Sequence, residues 1–153
     1  MSIIHEKYEG TMLEYINHNK QILSIIIRSQ YHTDGIKFFT PDDFSQQLAY
    51  MNRKKGYVIP PHVHNLVERK VSLTQEVLFI KSGKVRVDYY DDDKQYLESR
   101  MLNLGDVVLF SGGGHGFTMM ENSEIVEVKQ GPYSGEKDKT RFESIADEEI
   151  NLK

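Results

Sequence analysis

Short apolar runs, broken by glycine and aspartate, recur along this chain, and no spacing of helical period lasts beyond about two turns before residue 142. Residues 22–28 are rich in isoleucine and read as a strand. Thr33-Asp34-Gly35 signals a turn, residues 36–39 a short apolar piece, and Pro41-Asp42-Asp43 a second break. Residues 44–52 put Leu48, Tyr50 and Asn52 on one parity and Gln47, Ala49 and Met51 on the other, the pattern of a strand with one polar side. A strand is expected over 57–64, then a charged loop over 65–75. Residues 77–81 and 84–90 flank Ser82-Gly83 and read as a hairpin. Strands over 96–102 and 107–110 follow the turns at 91–94 and 103–106. Beyond a glycine-rich loop at 112–116, residues 117–120 and 124–130 are expected to pair as closing strands. Residues 1–21 look polar and irregular, and 142–152 read as a short acidic C-terminal helix. Many short strands joined by Gly- and Asp-rich turns indicate an all-β sandwich or barrel.

Composition narrows this picture without changing it. A chain of 153 residues, 39% hydrophobic and 27% charged, fits one globular domain. That domain divides into N-terminal strands and arm over 1–43, a barrel over 44–130 and a tail over 131–153. The formal net charge of −4, with no basic cluster, argues against nucleic acid or an anionic membrane as partner. There is no cysteine, so a metal site must be built from nitrogen and oxygen donors. The N-terminus lacks the basic start and apolar core of a signal peptide, and the isoleucine run at 25–27 is too short to span a bilayer. A cytoplasmic protein is expected.

Candidate chemistry centres on Gly56-Tyr-Val-Ile-Pro-Pro-His62-Val-His64. Histidines two residues apart on an extended segment point to one side, and Pro60 and Pro61 hold the approach extended. Glu76 opens the apolar run that leads to Gly83, and His115 sits among glycines 112, 113, 114 and 116. Three imidazoles and one carboxylate suit a divalent metal ion, with Fe, Mn, Ni, Cu and Zn all compatible. Glu68 competes with Glu76 for the carboxylate position, but it lies in an aperiodic charged loop and has no glycine seven residues on. Glu76 is therefore preferred, both as ligand and as the catalytic proton carrier. Lys129, Arg69 and Tyr133 are the candidate contacts to an anionic or polar substrate, with Lys70, Lys139 and Arg141 as weaker ones. His5, His18 and His32 read as solvated, and Tyr89, Tyr90 and Tyr96 as packing residues.

These positions resemble the two motifs of the cupin superfamily. Gly56, His62, His64, Glu76 and Gly83 match the start and end of the first motif, although eleven residues separate His64 from Glu76 where three or four are usual. Gly105, Gly113 and His115 are similar to the second motif, with Ser111 in place of its proline, the histidine one residue early, and Met119 where asparagine is usual. The stretch 129–142 resembles cupin-like proteins of bacterial surface-sugar and polysaccharide biosynthesis. The resemblance implies a jelly-roll β-barrel that holds a metal through His62, His64, Glu76 and His115. It also implies pairing into homodimers through edge strands, for which residues 22–28 are the expected edge. Sugar isomerisation or epimerisation with the metal as Lewis acid is the implied chemistry. An Fe(II)-dependent dioxygenase and a non-catalytic small-molecule binding module are the alternatives.

Overall fold

A computed structural model describes residues 12–153, so His5 lies outside the described residues. Their contacts group into two compact units. One takes the described residues up to Tyr31 together with Thr74–Lys153; the other is His32–Leu73.

The first unit is built from two antiparallel sheets. Strands β1 (Leu13–His18) and β2 (Gln21–Ile27) come first; β3 (Gly35–Phe38) and β4 (Ala49–Asn52) belong to the second unit. The first unit resumes with β5 (Glu76–Ser82), β6 (Lys84–Tyr90), β7 (Tyr96–Asn103), β8 (Val107–Phe110), β9 (Gly114–Met119) and β10 (Glu124–Lys129). The larger sheet has the order β1-β2-β8-β5-β10 and the smaller β7-β6-β9. The core lies between them. Ile16, Leu23, Ile26, Leu78, Ile80, Val108 and Phe110 from the larger sheet meet Val85, Val87, Tyr89 and Leu102 from the smaller. Burial of such side chains is the main favourable term in folding, about 1.5–3 kcal/mol each. One buried polar contact joins the sheets, Ser24 Oγ to the Tyr89 hydroxyl at 2.8 Å. The all-β expectation holds. The two sheets of the first unit do not close into a barrel among the described residues.

Several local expectations are corrected. Residues 13–18, read as irregular, form β1 and cover the outer side of β2. Residues 22–28 therefore do not form a free edge, because β2 is held between β1 and β8. Ser82-Gly83 is not a hairpin: β5 pairs with β8 and β10, whereas β6 pairs with β7 and β9. Nor do β9 and β10 pair with each other, since they lie in different sheets. Sequence spacing shows where a chain turns but not whether it returns along its neighbour or crosses to the facing sheet. The acidic helix over 142–152 is replaced by an extended strap with one 3-10 turn, Asp147–Glu149. Its backbone needs are met by the sheet: Ser99 N donates to Asn151 O at 2.9 Å, and Ile145 N to the Tyr90 hydroxyl at 2.9 Å.

Gly83 makes the crossing at φ +83, and a Cβ there would meet Ser123 Cα at 2.7 Å as well as Ser123 Oγ and the Asn122 carbonyl. A left-handed backbone and a backbone obstacle act together. Gly83→Ala is expected to cost at least about 2 kcal/mol, read as a lower midpoint in urea unfolding; an unchanged midpoint would show that the corner relaxes freely.

In the second unit β3 and β4 form a two-stranded ladder with Gly35 opposite Asn52 and Phe38 opposite Ala49. Thr40 Oγ1 donates to Gln47 Oε1 at 2.8 Å and closes the loop between them. Beyond β4, residues 53–73 are exposed and take no regular secondary structure apart from a turn at 55–56. The expected strand over 57–64 is not formed. Tyr57 N donates to Lys54 O at 3.1 Å, and among the described residues no backbone ladder follows. The expected strand over 44–52 shortens to β4.

Candidate functional site

The larger sheet carries Glu76 at the start of β5, on the parity of Leu78 and Ile80, which face the core. Glu76 lies opposite Lys129 in the ladder with β10, and Glu127 lies opposite Leu78, so all three share the inward face. The smaller sheet brings His115 on β9, opposite Tyr89 of β6. The two meet across the sandwich: the His115 Nε2 lies 2.5 Å from Glu76 Oε1. The His115 ring stacks on Phe110, with centroids 4.3 Å apart at 23°, and Phe117 lies 5.3 Å away. These aromatic walls fix the imidazole and keep water from one side of it.

The charges form a coupled set. Glu76 is held below the usual carboxylate range, chiefly by the hydrogen bond to His115, against the opposing pull of burial. Glu127 is pushed up, chiefly by its hydrogen bond to Glu76, so of the two carboxylates Glu127 takes up a proton first as pH falls. Lys129 Nζ stands 3.8 Å from Glu127. The other ring nitrogen, His115 Nδ1, is buried and has no hydrogen-bond partner among the described residues. A buried imidazole nitrogen without a partner is rare in folded proteins.

The remaining sequence candidates lie elsewhere. His62 and His64 belong to the second unit, exposed, with ring centroids 5.3 Å apart and nearly perpendicular. The His62 Nδ1 is 3.0 Å from the Pro60 carbonyl. Arg69 is exposed in the same unit, with its guanidinium donating to the Val67 carbonyl at 3.3 Å. Glu68 is exposed there also, and Tyr133 is exposed in the first unit. The structure thus brings Glu76, His115 and Lys129 together. Glu127 was missed, although it shares the parity of Lys129 on a strand already read as such. A Cβ on Gly113 would meet the Tyr90 carbonyl at 2.6 Å, and one on Gly114 would meet Phe142 Cζ at 3.1 Å, so these glycines admit the packing of β6 and the strap.

Among the described residues, no group of three or more His, Asp or Glu side chains is gathered so as to hold a metal. Within the first unit, the imidazole of His115 and the carboxylate of Glu76 are donors of a kind that a divalent ion takes. Among the described residues, no helix is long and apolar enough to cross a membrane. Family models, curated proteins and solved structures return no match to this chain.

Proposed function

We propose that this protein is a cupin-type jelly-roll protein of the cytoplasm that binds a small polar metabolite, a sugar or sugar derivative, and isomerises or epimerises it with the help of a divalent metal. The reading is carried by one observation, the partly buried Glu76–His115 pair, with Glu127 beside it pushed towards its protonated form. Moving a hydrogen next to a carbonyl needs one group that takes a proton and another that returns one. Ionised Glu76 takes the proton from the carbon or hydroxyl of the metabolite. Glu127 returns one to the neighbouring atom, and each ends in the other's starting state. His115 holds the Glu76 carboxylate in place, and Lys129 offers positive charge to an anionic substituent. A metal held with the help of Glu76 and His115 would polarise the carbonyl or hydroxyl being rearranged.

The test is hydrogen exchange. Purified protein with its metal content measured is incubated in D2O with aldoses, ketoses and their nucleotide-linked forms, and carbon-bound deuterium is followed by NMR. Incorporation into one class, lost on Glu76→Gln, supports the reading. Oxygen uptake in place of exchange would move the protein to the dioxygenase class, and a tightly held sugar without exchange would make it a binding module.

A further inference from the structure

The strap that crosses the outer face of the smaller sheet is fastened unequally along its length. Its last residues are knitted to β7. Ser99 N donates to Asn151 O at 2.9 Å, Lys153 N to Ser99 O at 3.0 Å, and Asn151 N to the Tyr96 hydroxyl at 2.9 Å. Its first part is held more lightly. Phe142 packs edge-on against Tyr90, with ring centroids 5.0 Å apart, and Ile145 N donates to the Tyr90 hydroxyl. Asp147 accepts from Arg86 Nη1 at 3.0 Å while its side chain stays 83% exposed. None of residues 147–149 is buried.

These few contacts bear on the strand that carries His115. In the ladder with β6, Gly114 lies opposite Tyr90, His115 opposite Tyr89 and Gly116 opposite Asp88. Side chains alternate along a strand, so the imidazole turns inward to Glu76 while Gly114 and Gly116 leave the outer side of the strand bare. A strand end without side chains on one face has no packing of its own to hold it from that face. Phe142 supplies the missing contact: a Cβ on Gly114 would meet its Cζ at 3.1 Å, whereas one on Gly116 would meet nothing within 4 Å among the described residues. Arg86 adds a second hold, donating both to Asp147 of the strap and, at 3.3 Å, to Thr118 Oγ1 of β9. Lifting the first part of the strap strands no buried charge, because Arg86 keeps Asp88 through Nε at 2.9 Å and Nη2 at 3.2 Å. A segment with few buried contacts opens at low cost.

We propose that the C-terminal strap is a releasable clamp on β9, and that Phe142 is the positioning residue through which it sets His115 against Glu76. With the strap down, the imidazole is fixed between Phe110 on the inner side and the Phe142–Gly114 contact behind its own strand. With the first part of the strap lifted, β9 loses its outer support beside two glycines and the imidazole drifts from the carboxylate. The stretch Asn151–Lys153 stays bound to β7 and serves as the hinge. The state of the working pair is thereby set from the opposite face of the smaller sheet. The importance of the clamp for activity rests on the reading of Glu76 and His115 given above; the clamp itself does not.

Amide hydrogen exchange and the ring-nitrogen signals of His115, both read by NMR at a single pH, test the clamp without any substrate. In Phe142→Ala the amides of β9 should exchange at least about tenfold faster than in the wild type, while those of β2 and β8 keep their rates. The His115 ring signals should move as well, because the hydrogen bond to Glu76 is loosened. Phe142→Tyr keeps the ring and should restore both. Asp147→Ala changes an exposed side chain that the fold does not need, and should speed the same amides by a smaller factor through loss of the ion pair. Wild-type ring signals and wild-type β9 rates in both alanine variants would overturn the clamp. Acceleration spread evenly over both sheets would overturn it too, since that marks a general loss of stability. Local loosening in a protein that puts carbon-bound deuterium into no sugar would uphold the clamp and remove the isomerase reading.

Discussion

Asp106→Ala is expected to destabilise the fold by roughly 3–5 kcal/mol, the largest effect of any single substitution considered for this chain. Asp106 is 2% exposed and sits where the chain turns into β8. Its Oδ1 accepts the backbone N–H of Ser29 at 2.8 Å, and its Oδ2 accepts Asn103 N and Arg28 Nη1, both at 2.9 Å. Arg28 in turn donates through Nε to Glu14 at 2.6 Å and through Nη1 to the Met101 carbonyl at 2.6 Å. One carboxylate thus ties β2, the β7–β8 turn and, through Arg28, β1. Burial works against the charge on Arg28, but the hydrogen bonds and charges of Glu14 and Asp106 outweigh it and raise its pKa. Removing Asp106 leaves a half-buried guanidinium with one counter-ion fewer and two backbone donors without an acceptor. Thermal unfolding should fall by about 10 °C for a chain of this size. Asp106→Asn should recover little, because its amide would turn two hydrogens towards groups that are themselves donors. A loss below about 1 kcal/mol would show that water replaces the carboxylate.

Glu76→Ala should lower affinity for a divalent ion by at least about a hundredfold, the upper end of what loss of an outer partner costs, since here a ligand itself is removed. It would also take from His115 Nε2 its carboxylate partner, while Nδ1 has no partner among the described residues, so the imidazole loses its fixed orientation. Glu127→Gln should bind the ion nearly as well as the wild type, because an amide can still donate to Glu76, yet it should abolish the proton return. Titration calorimetry with zinc and nickel, run on all three proteins, checks both. Equal affinities in wild type and Glu76→Ala would place the ion away from this pair.

The pattern of apolar positions carried the strand content and the places where the chain turns. Residues 107–110 and 84–90 fall where the structure has β8 and β6, because alternation and β-branched runs are local properties of a pleated backbone. Motif spacing also singled out Glu76 and His115, which the structure brings within 2.5 Å. Lys129 came from its strand, and Glu127 escaped notice because nothing local sets a carboxylate on an inward parity apart from a solvated one.

Pairing was decided elsewhere. Whether β5 returns along β6 or crosses to the facing sheet depends on Gly83 packing against Ser123, and whether 142–152 coils depends on the N–H donor offered by Ser99 and the hydroxyl acceptor offered by Tyr90. By itself, then, the sequence determined an all-β, cysteine-free chain with imidazoles and carboxylates at defined positions. Tertiary structure alone decided which strands are neighbours and which of the two carboxyl groups is pushed up. Those outcomes follow from contacts between groups far apart in the chain, and no local pattern encodes them.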